Sequence, residues 1–447
     1  MFHQSRRVWL IAAAMLCAAL AVGSRAKPKA QQANTGWAQV PAILSRIKAP
    51  TFANRDFKIT DYGAIADGKT DNTEAIRKAI AACNAAGGGR VVVTPGVFLT
   101  GAIHLKSDVN LHVTEGATLK FIPDPAKYLP VVFTRFEGTE LMNYSPLIYA
   151  FEQENIAVTG KGSLDGSASN ENWWAWKRSG GESARRLLEF NDKGAPVAER
   201  VFGAGHGLRP NFIQPYRSRN ILIEGVTINN SPMWEMHPVL CSNVTVRGVT
   251  VVSHGPNNDG CNPESCRDVL LEDCVFDTGD DCIAIKSGRN DDGRRIATPS
   301  ENIIVRNCVM KDGHGGVVMG SEVSGGVRNV FVENCKMDSP NLDRALRFKS
   351  NAKRGGVIEN VFTRNVEVGR VAEAILTIDF LYETGANGPH KPVVRNVAIE
   401  GVRSASCPRV MWIAGFPGAV IEDIRFADCA FRGVEASEGA LDGTWAN

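Results

Sequence analysis

A short unit repeated through the second half of the chain restricts the fold more than any other feature. Each copy opens with Asn or Asp, runs through an alternating apolar stretch, and meets Gly, Asn or Asp before a second apolar stretch. The copies read Asn220-Ile-Leu-Ile-Glu-Gly, Asn243-Val-Thr-Val-Arg-Gly, Asp268-Val-Leu-Leu-Glu-Asp and Asn302-Ile-Ile-Val-Arg-Asn, then Asn329-Val-Phe-Val-Glu-Asn, Asn360-Val-Phe-Thr-Arg-Asn, Asn396-Val-Ala-Ile-Glu-Gly and Asp423-Ile-Arg-Phe-Ala-Asp. Successive copies start 23 to 36 residues apart, a solenoid period with loops of variable length on one face. No unit is long enough to bury its own apolar face, so stacking in parallel coils is how the chain obtains a continuous core. The expected fold is all-β, a right-handed parallel β-helix, with the repeated Asn and Asp stacked as a ladder inside or at a corner of the coils. Asn155-Ile-Ala-Val-Thr-Gly reads as an earlier copy.

Composition agrees: 44 glycines and 7% aromatic residues in 447 suit short strands and tight turns. With 50 basic and 48 acidic residues the chain shows no excess that would favour nucleic acid. Arg6 and Arg7, the apolar run Val8 to Val22 and Ser24-Arg25-Ala26 have the order of a secretory signal, so residues 1–26 are expected to be removed on the way to a secreted or periplasmic location. No later apolar run would span a bilayer, and no membrane contact is expected after signal removal. Residues 27–50 read as a polar lead-in and 51–447 as the β-helix domain. Near its start Asp71-Asn-Thr-Glu74 reads as a capping box for a helix through Ala75, Ile76, Ala79, Ile80 and Cys83, placed to cap the first coil. Ten cysteines follow the signal without a CxxC pair, which argues against structural zinc and leaves disulfide or apolar stacking open. No metal or cofactor is expected.

Chemistry is concentrated in a few turns. Asp259, Asp280 and Asp281 lie within 23 residues, each in a glycine-marked turn beside aliphatic runs. An isolated Asn-Asp-Gly is ordinarily an Asx-turn, but on a coil repeat these turns fall on neighbouring coils at one edge. Crowded carboxylates repel, so one keeps its proton while another stays charged, the division that acid/base hydrolysis needs. The next coils bring Gly313-His314-Gly315-Gly316 and Arg347-Phe348-Lys349, whose two cations share one strand face. Lys286 is a further candidate cation, and Arg289, Arg344, Lys353 and Arg354 are expected either to line the cleft or simply to solubilise its rim. Trp173, Trp174 and Trp176 either stack on sugars or pack over the solenoid. The glycines of 320–326 and 87–89 lack the context of a nucleotide loop and serve turns.

Asn257-Asn258-Asp259, Gly279-Asp280-Asp281, Gly313-His314-Gly315 and Arg347-Phe348-Lys349 resemble, in order, the signatures of glycoside hydrolase family 28, the polygalacturonases. Asp61-Tyr62-Gly63-Ala64, Asp67-Gly68, Asp71 and Pro95-Gly96 resemble that family's opening coil. Asn258 stands for the usual threonine and Phe348 for isoleucine, neither a change of charge. The resemblance implies inverting hydrolysis of α-1,4-galacturonosidic bonds: Asp280 the general acid, Asp259 and Asp281 holding and deprotonating the water, His314 tuning the proton of Asp280. Arg347 and Lys349, and less strongly Lys286, would hold the substrate carboxylate of an acidic plant polysaccharide, polygalacturonate or rhamnogalacturonan oligomers. Insertions around 170–215 and 289–300 would wall off one end of the cleft and favour exo action. Three alternatives stand beside this: a galacturonosidase of rhamnogalacturonan fragments, a β-helical pectate lyase, and a non-catalytic carbohydrate-binding β-helix.

Overall fold

A computed structural model describes residues 36–435. They form a parallel β-helix whose coils lay strands into three stacked faces. Two faces are 12-stranded sheets, one from Asp56–Lys58 to Val420–Ala427 and the other from Asp67–Asp71 to Ala430–Phe431. The third face is broken into a 3-stranded and a 5-stranded sheet, joined by the parallel bridges Ile213 to Met236, Met236 to Cys261 and Cys261 to Ile283. One antiparallel hairpin, Val132–Phe136 with Thr139–Asn143, leaves the coils.

The expected ladder exists, and backbone geometry explains its composition. Asn155, Asn220, Asn243, Asp268, Asn302, Asn329, Asn360 and Asn396 all have φ between 52° and 59°. Left-handed backbone is costly for most side chains but tolerated by Asn and Asp, whose short polar group then bonds locally. Here the amides bond to one another: Asn220 donates to Asn155 at 2.9 Å, Asn329 to Asn302 at 3.1 Å, Asn360 to Asn329 at 3.0 Å and Asn396 to Asn360 at 2.7 Å. The second punctuation position obeys the same rule, with Gly225, Gly248, Asp273, Asn307, Asn334, Asn365 and Gly401 all at positive φ. One coil corner needing left-handed backbone thus explains why Gly alternates with Asn and Asp there.

The coil interior is filled by aligned aliphatic side chains, Val244, Val269, Ile303, Val330, Val361 and Val397 at successive levels. The ten cysteines among the described residues are free, so stacking is the reading that holds. Cys274, Cys308 and Cys335 are buried at equivalent levels, with their sulfur neighbours and burial pushing the Cys274 thiol well above its ordinary range.

Two expectations for the amino-terminal part need correction. The helix α2, Thr73–Ala85, does close the first coil, burying Ala75, Ile76, Ala79, Ile80 and Cys83. Its N-cap is Asn72 with no side-chain cap, and Glu74 binds Arg77 instead of reaching back, so the capping box does not form. Asn72 is drawn instead into bonds with the Ile65, Thr70 and Leu99 carbonyls, while Asp71 accepts from the Thr73 amide at 3.0 Å. The lead-in is not simply polar: α1, Val40–Arg46, lays Val40 and Ile43 against Leu270, Ile304, Phe331 and Phe362 on the outside of a sheet. Arg46 clamps it with a hydrogen bond to Asp268 at 2.7 Å, and Trp37 lies under the Arg364 guanidinium at 3.9 Å. The signal segment 1–26 lies outside the described residues.

Both predicted insertions carry helices: α3, Trp176–Ser179, and α4, Gly181–Asp192, in the first, and α5, Asn290–Ile296, in the second. Buried polar bonds fix them to the hairpin and to each other. Asn191 donates to Thr139 and to the Arg289 carbonyl, and Arg200 donates to the Glu140 carbonyl at 3.1 Å and to Asp292 at 2.9 Å. The tryptophans pack. Trp173 is buried edge-on to Tyr128, and Trp174 donates to the Ser231 carbonyl at 2.9 Å.

Candidate active site

Register brings the predicted residues to one edge of the third face. Cys261 pairs with Ile283, Ile283 with Val317, and Val317 with Leu346, so the turns before those residues stack in the order Asp259, Asp281, Gly315. The Gly260 amide donates to the Asp281 carbonyl at 3.0 Å, and the His314 amide to the Asp280 carbonyl at 3.1 Å. Glycine at 313 is required for this approach: a Cβ there would stand 2.7 Å from the Asp280 carbonyl oxygen. At Gly279 a Cβ would stand 2.5 Å from the Gly255 carbonyl oxygen, so both glycines let adjacent turns nest and place the acids on consecutive levels.

Asp280 and Asp281 diverge from their turn towards different partners. Asp280 Oδ1 meets His314 Nδ1 at 3.0 Å. Burial works against charge on Asp280, but the His314 bond, then Lys349 and Lys286, hold its carboxyl down to about 2. The same bond raises His314 above its ordinary value, so in the free protein the proton shared by the pair rests on Nδ1 of the ring. Asp281 Oδ2 accepts from Lys349 Nζ at 2.6 Å, and its Oδ1 lies 3.7 Å from Arg347 Nη1. That Oδ1 is buried and makes no hydrogen bond within the protein, which leaves a free acceptor on a carboxylate held by cations.

Asp259 differs. It is 3% exposed, accepts from Asn262 Nδ2 at 2.8 Å, and lies 3.6 Å from Lys286 Nζ. Burial, then the charge of Asp280, pushes its carboxyl up to about 8. Of the crowded carboxyls it is Asp259 that is pushed towards keeping its proton, while Asp280 shares one with an imidazole.

Asp280, His314, Arg347 and Lys349 line a cavity of about 540 Å³ together with Lys177, Asp343, Arg344, Glu373 and Tyr382. Lys286 does not line it. Its ammonium is 3% exposed, donates to Glu322 and to the Gly320 carbonyl at 3.0 Å each, and lies 4.5 Å from the Trp234 ring centroid, so it supports Asp259 from behind. Lys349 is likewise engaged, leaving Arg347, whose Nε has no partner, as the less committed cation. Arg344 joins the lining, paired with Asp343 and Glu373, whereas Arg289 and Arg354 are buried in ion pairs with Glu383. Lys353 lies 3.9 Å from Asp192 on the surface. Asn258 is fully bonded, to Ser253, Gly255, Ser231 and Met233, a structural brace for the turn holding Asp259. Tyr382 and Glu322, in loops, and Lys177, on the short helix α3, escaped sequence reasoning because no motif marks them, and only stacking brings them here.

The family model "Glycosyl hydrolases family 28" matches residues 201–438, and "Rhamnogalacturonase A/epimerase, pectate lyase-like" matches 57–114. A solved exopolygalacturonase from Thermotoga maritima is 48% identical with a TM-score of 0.86, over 88% of this chain and 90% of that one. An exo-poly-alpha-D-galacturonosidase from Dickeya chrysanthemi is 31% identical over 72% of this chain and 57% of its own length. A probable polygalacturonase from Vitis vinifera is 28% identical over 74% of this chain and 63% of its own, so the chain spans under two thirds of these two curated relatives. Stacked coils, three turns nested at one edge beside the strand that carries Arg347 and Lys349, and a family match over more than half the chain agree: this chain belongs to glycoside hydrolase family 28.

Proposed function

We propose that the chain hydrolyses α-1,4-galacturonosidic bonds of polygalacturonate with inversion, working from chain ends. The observation that carries this is the pair of adjacent carboxylates with opposite commitments, Asp280 on the cavity wall and bonded to an imidazole, Asp281 buried beside that wall and bonded to the ammonium of Lys349 with one oxygen free. Asp280 is the general acid. A sugar seated in the cavity excludes water and brings its own carboxylate, both of which disfavour the Asp280 anion, so the proton passes from His314 Nδ1 to Asp280 and on to the glycosidic oxygen. Asp281, bonded to the Lys349 ammonium, takes the proton of the attacking water, and Asp259 completes the set that orients it. Arg347 offers its guanidinium fork to the substrate carboxylate.

Family membership supports hydrolysis over the lyase and binding-module alternatives, and the names of the Thermotoga and Dickeya relatives support galacturonate and exo action. Lys177, carried by the first insertion, reaches the same cavity as Arg347, which supports a cleft bounded at one end. The signal-like first 26 residues support export, and among the described residues no helix is long and apolar enough to cross a membrane. The deciding experiment is a time course of products from polygalacturonate for the wild type and Asp280→Asn. The wild type should release single galacturonate from the first time points with inverted anomeric configuration by NMR, and Asp280→Asn should release it about a thousandfold more slowly. An early ladder of mixed lengths would refute exo action, and an unsaturated product would refute hydrolysis.

A further inference from the structure

Behind the cavity Asp259, Lys286 and Glu322 form a line of charges shut off from solvent, 3%, 3% and 6% exposed. One buried ammonium faces two carboxylates, and geometry decides which it serves. Lys286 Nζ donates to Glu322 Oε2 at 3.0 Å, whereas Asp259 Oδ2 lies 3.6 Å away without a hydrogen bond. Glu322 is itself secured: Ser321 donates to its Oε1 at 3.0 Å, and Arg354 stands 3.9 Å from the same oxygen. Arg354 and Arg289 continue the chain of charge outward to Glu383 and Glu137.

We propose that Glu322 is a positioning residue that holds the Lys286 ammonium away from Asp259 and thereby sets how tightly Asp259 keeps its proton. The inference rests on Asp259 being a member of the catalytic set. A buried ammonium shared with a permanently charged rival gives Asp259 only part of its stabilisation, so the Asp259 carboxyl stays easy to protonate. The other groups facing Asp259 are Asp280, Asp281, Glu235, Lys349 and Arg209, and those facing Glu322 are Arg354, Arg289, Glu264 and Tyr382. Against the cost of burial, Lys286, Arg354 and Arg289 keep Glu322 ionised far below the usual carboxylate range, so it is a charged competitor throughout the working pH.

The test is Glu322→Gln, which keeps shape and removes charge. Titration of the Asp259 carboxyl by ¹³C NMR in aspartate-labelled protein, assigned by its loss in Asp259→Asn, should show its midpoint falling by about one pH unit or more. The acidic limb of the kcat/KM profile should move the same way. In a Lys286→Met background the Glu322→Gln substitution should leave the midpoint where Lys286→Met put it, because the effect travels through the ammonium. Should Glu322→Gln not fold, Glu322→Asp, which draws the carboxylate back from Lys286, should give a smaller shift of the same sign. An unmoved Asp259 midpoint, or a shift of equal size without Lys286, overturns the proposal. Asp259→Asn tests the underlying reading separately: undiminished activity in that variant would remove Asp259 from the catalytic set while leaving the titration result standing.

Discussion

Asp280 is bonded to a ring that is itself half exposed. Replacing it by Asn keeps the hydrogen bond but removes the proton carrier, so kcat should fall by about 10³-fold with KM little changed, measured by reducing-sugar release. His314→Ala should lower kcat by a smaller factor and shift the alkaline limb of the profile, since Asp280 then loses its proton store. Asp259 yields a prediction about stability. Its folded carboxyl, raised to about 8 from 3.8, binds more protons than the unfolded one between those values, so stability must fall as pH rises from about 4 to about 8. Asp259→Asn removes that slope. Its unfolding free energy relative to wild type should therefore climb through the interval by a few kcal/mol, at most about 1.4 kcal/mol for each pH unit, and level off above it. Chemical denaturation at a series of pH values measures this. The acids were legible in the sequence because glycine-marked turns in a repeat announce themselves. Which acid keeps the proton was not, because that depends on Lys286, His314 and Glu322, 27 to 63 residues beyond Asp259.

At the scale of the element, the Asn ladder does two jobs that substitutions separate. Asn329 has φ 57°, donates to Asn302 and accepts from Asn360. Asn329→Gly should lose the bonds and keep the backbone, costing about 1 kcal/mol, while Asn329→Ala adds left-handed strain of about 1 kcal/mol more. Urea unfolding of both variants checks the order. Periodicity made the strands readable, and the ladder followed from it. The helix α1 was not readable, because a helix of seven residues with Pro41 in its first turn has little periodic signal. It exists because Val40 and Ile43 find an apolar stripe that four coils, far ahead in sequence, assemble on a sheet's outer face. The capping box misled for a related reason: Asn72 makes better bonds to Ile65 and Leu99 than a cap would.

For the whole molecule, the solenoid supplies a flat edge and the insertions shape its end. The buried bonds from Arg200, Asn191 and Arg289 to the hairpin hold the insertions rigidly, so Lys177 can act as a fixed part of the cavity wall. Lys177→Ala should raise KM for oligogalacturonates up to about tenfold, equivalent to about 1.4 kcal/mol, with kcat nearly unchanged, and the difference should shrink in high salt. By itself the sequence determined the coil, its left-handed corners, the level at which each acid sits and the family, because these follow from local periodicity and from turns that only certain residues can make. Tertiary structure alone decided which cation answers which carboxylate, where the proton rests, and what walls the cleft, because Coulomb energies in a buried site depend on distances between residues that only stacking makes neighbours.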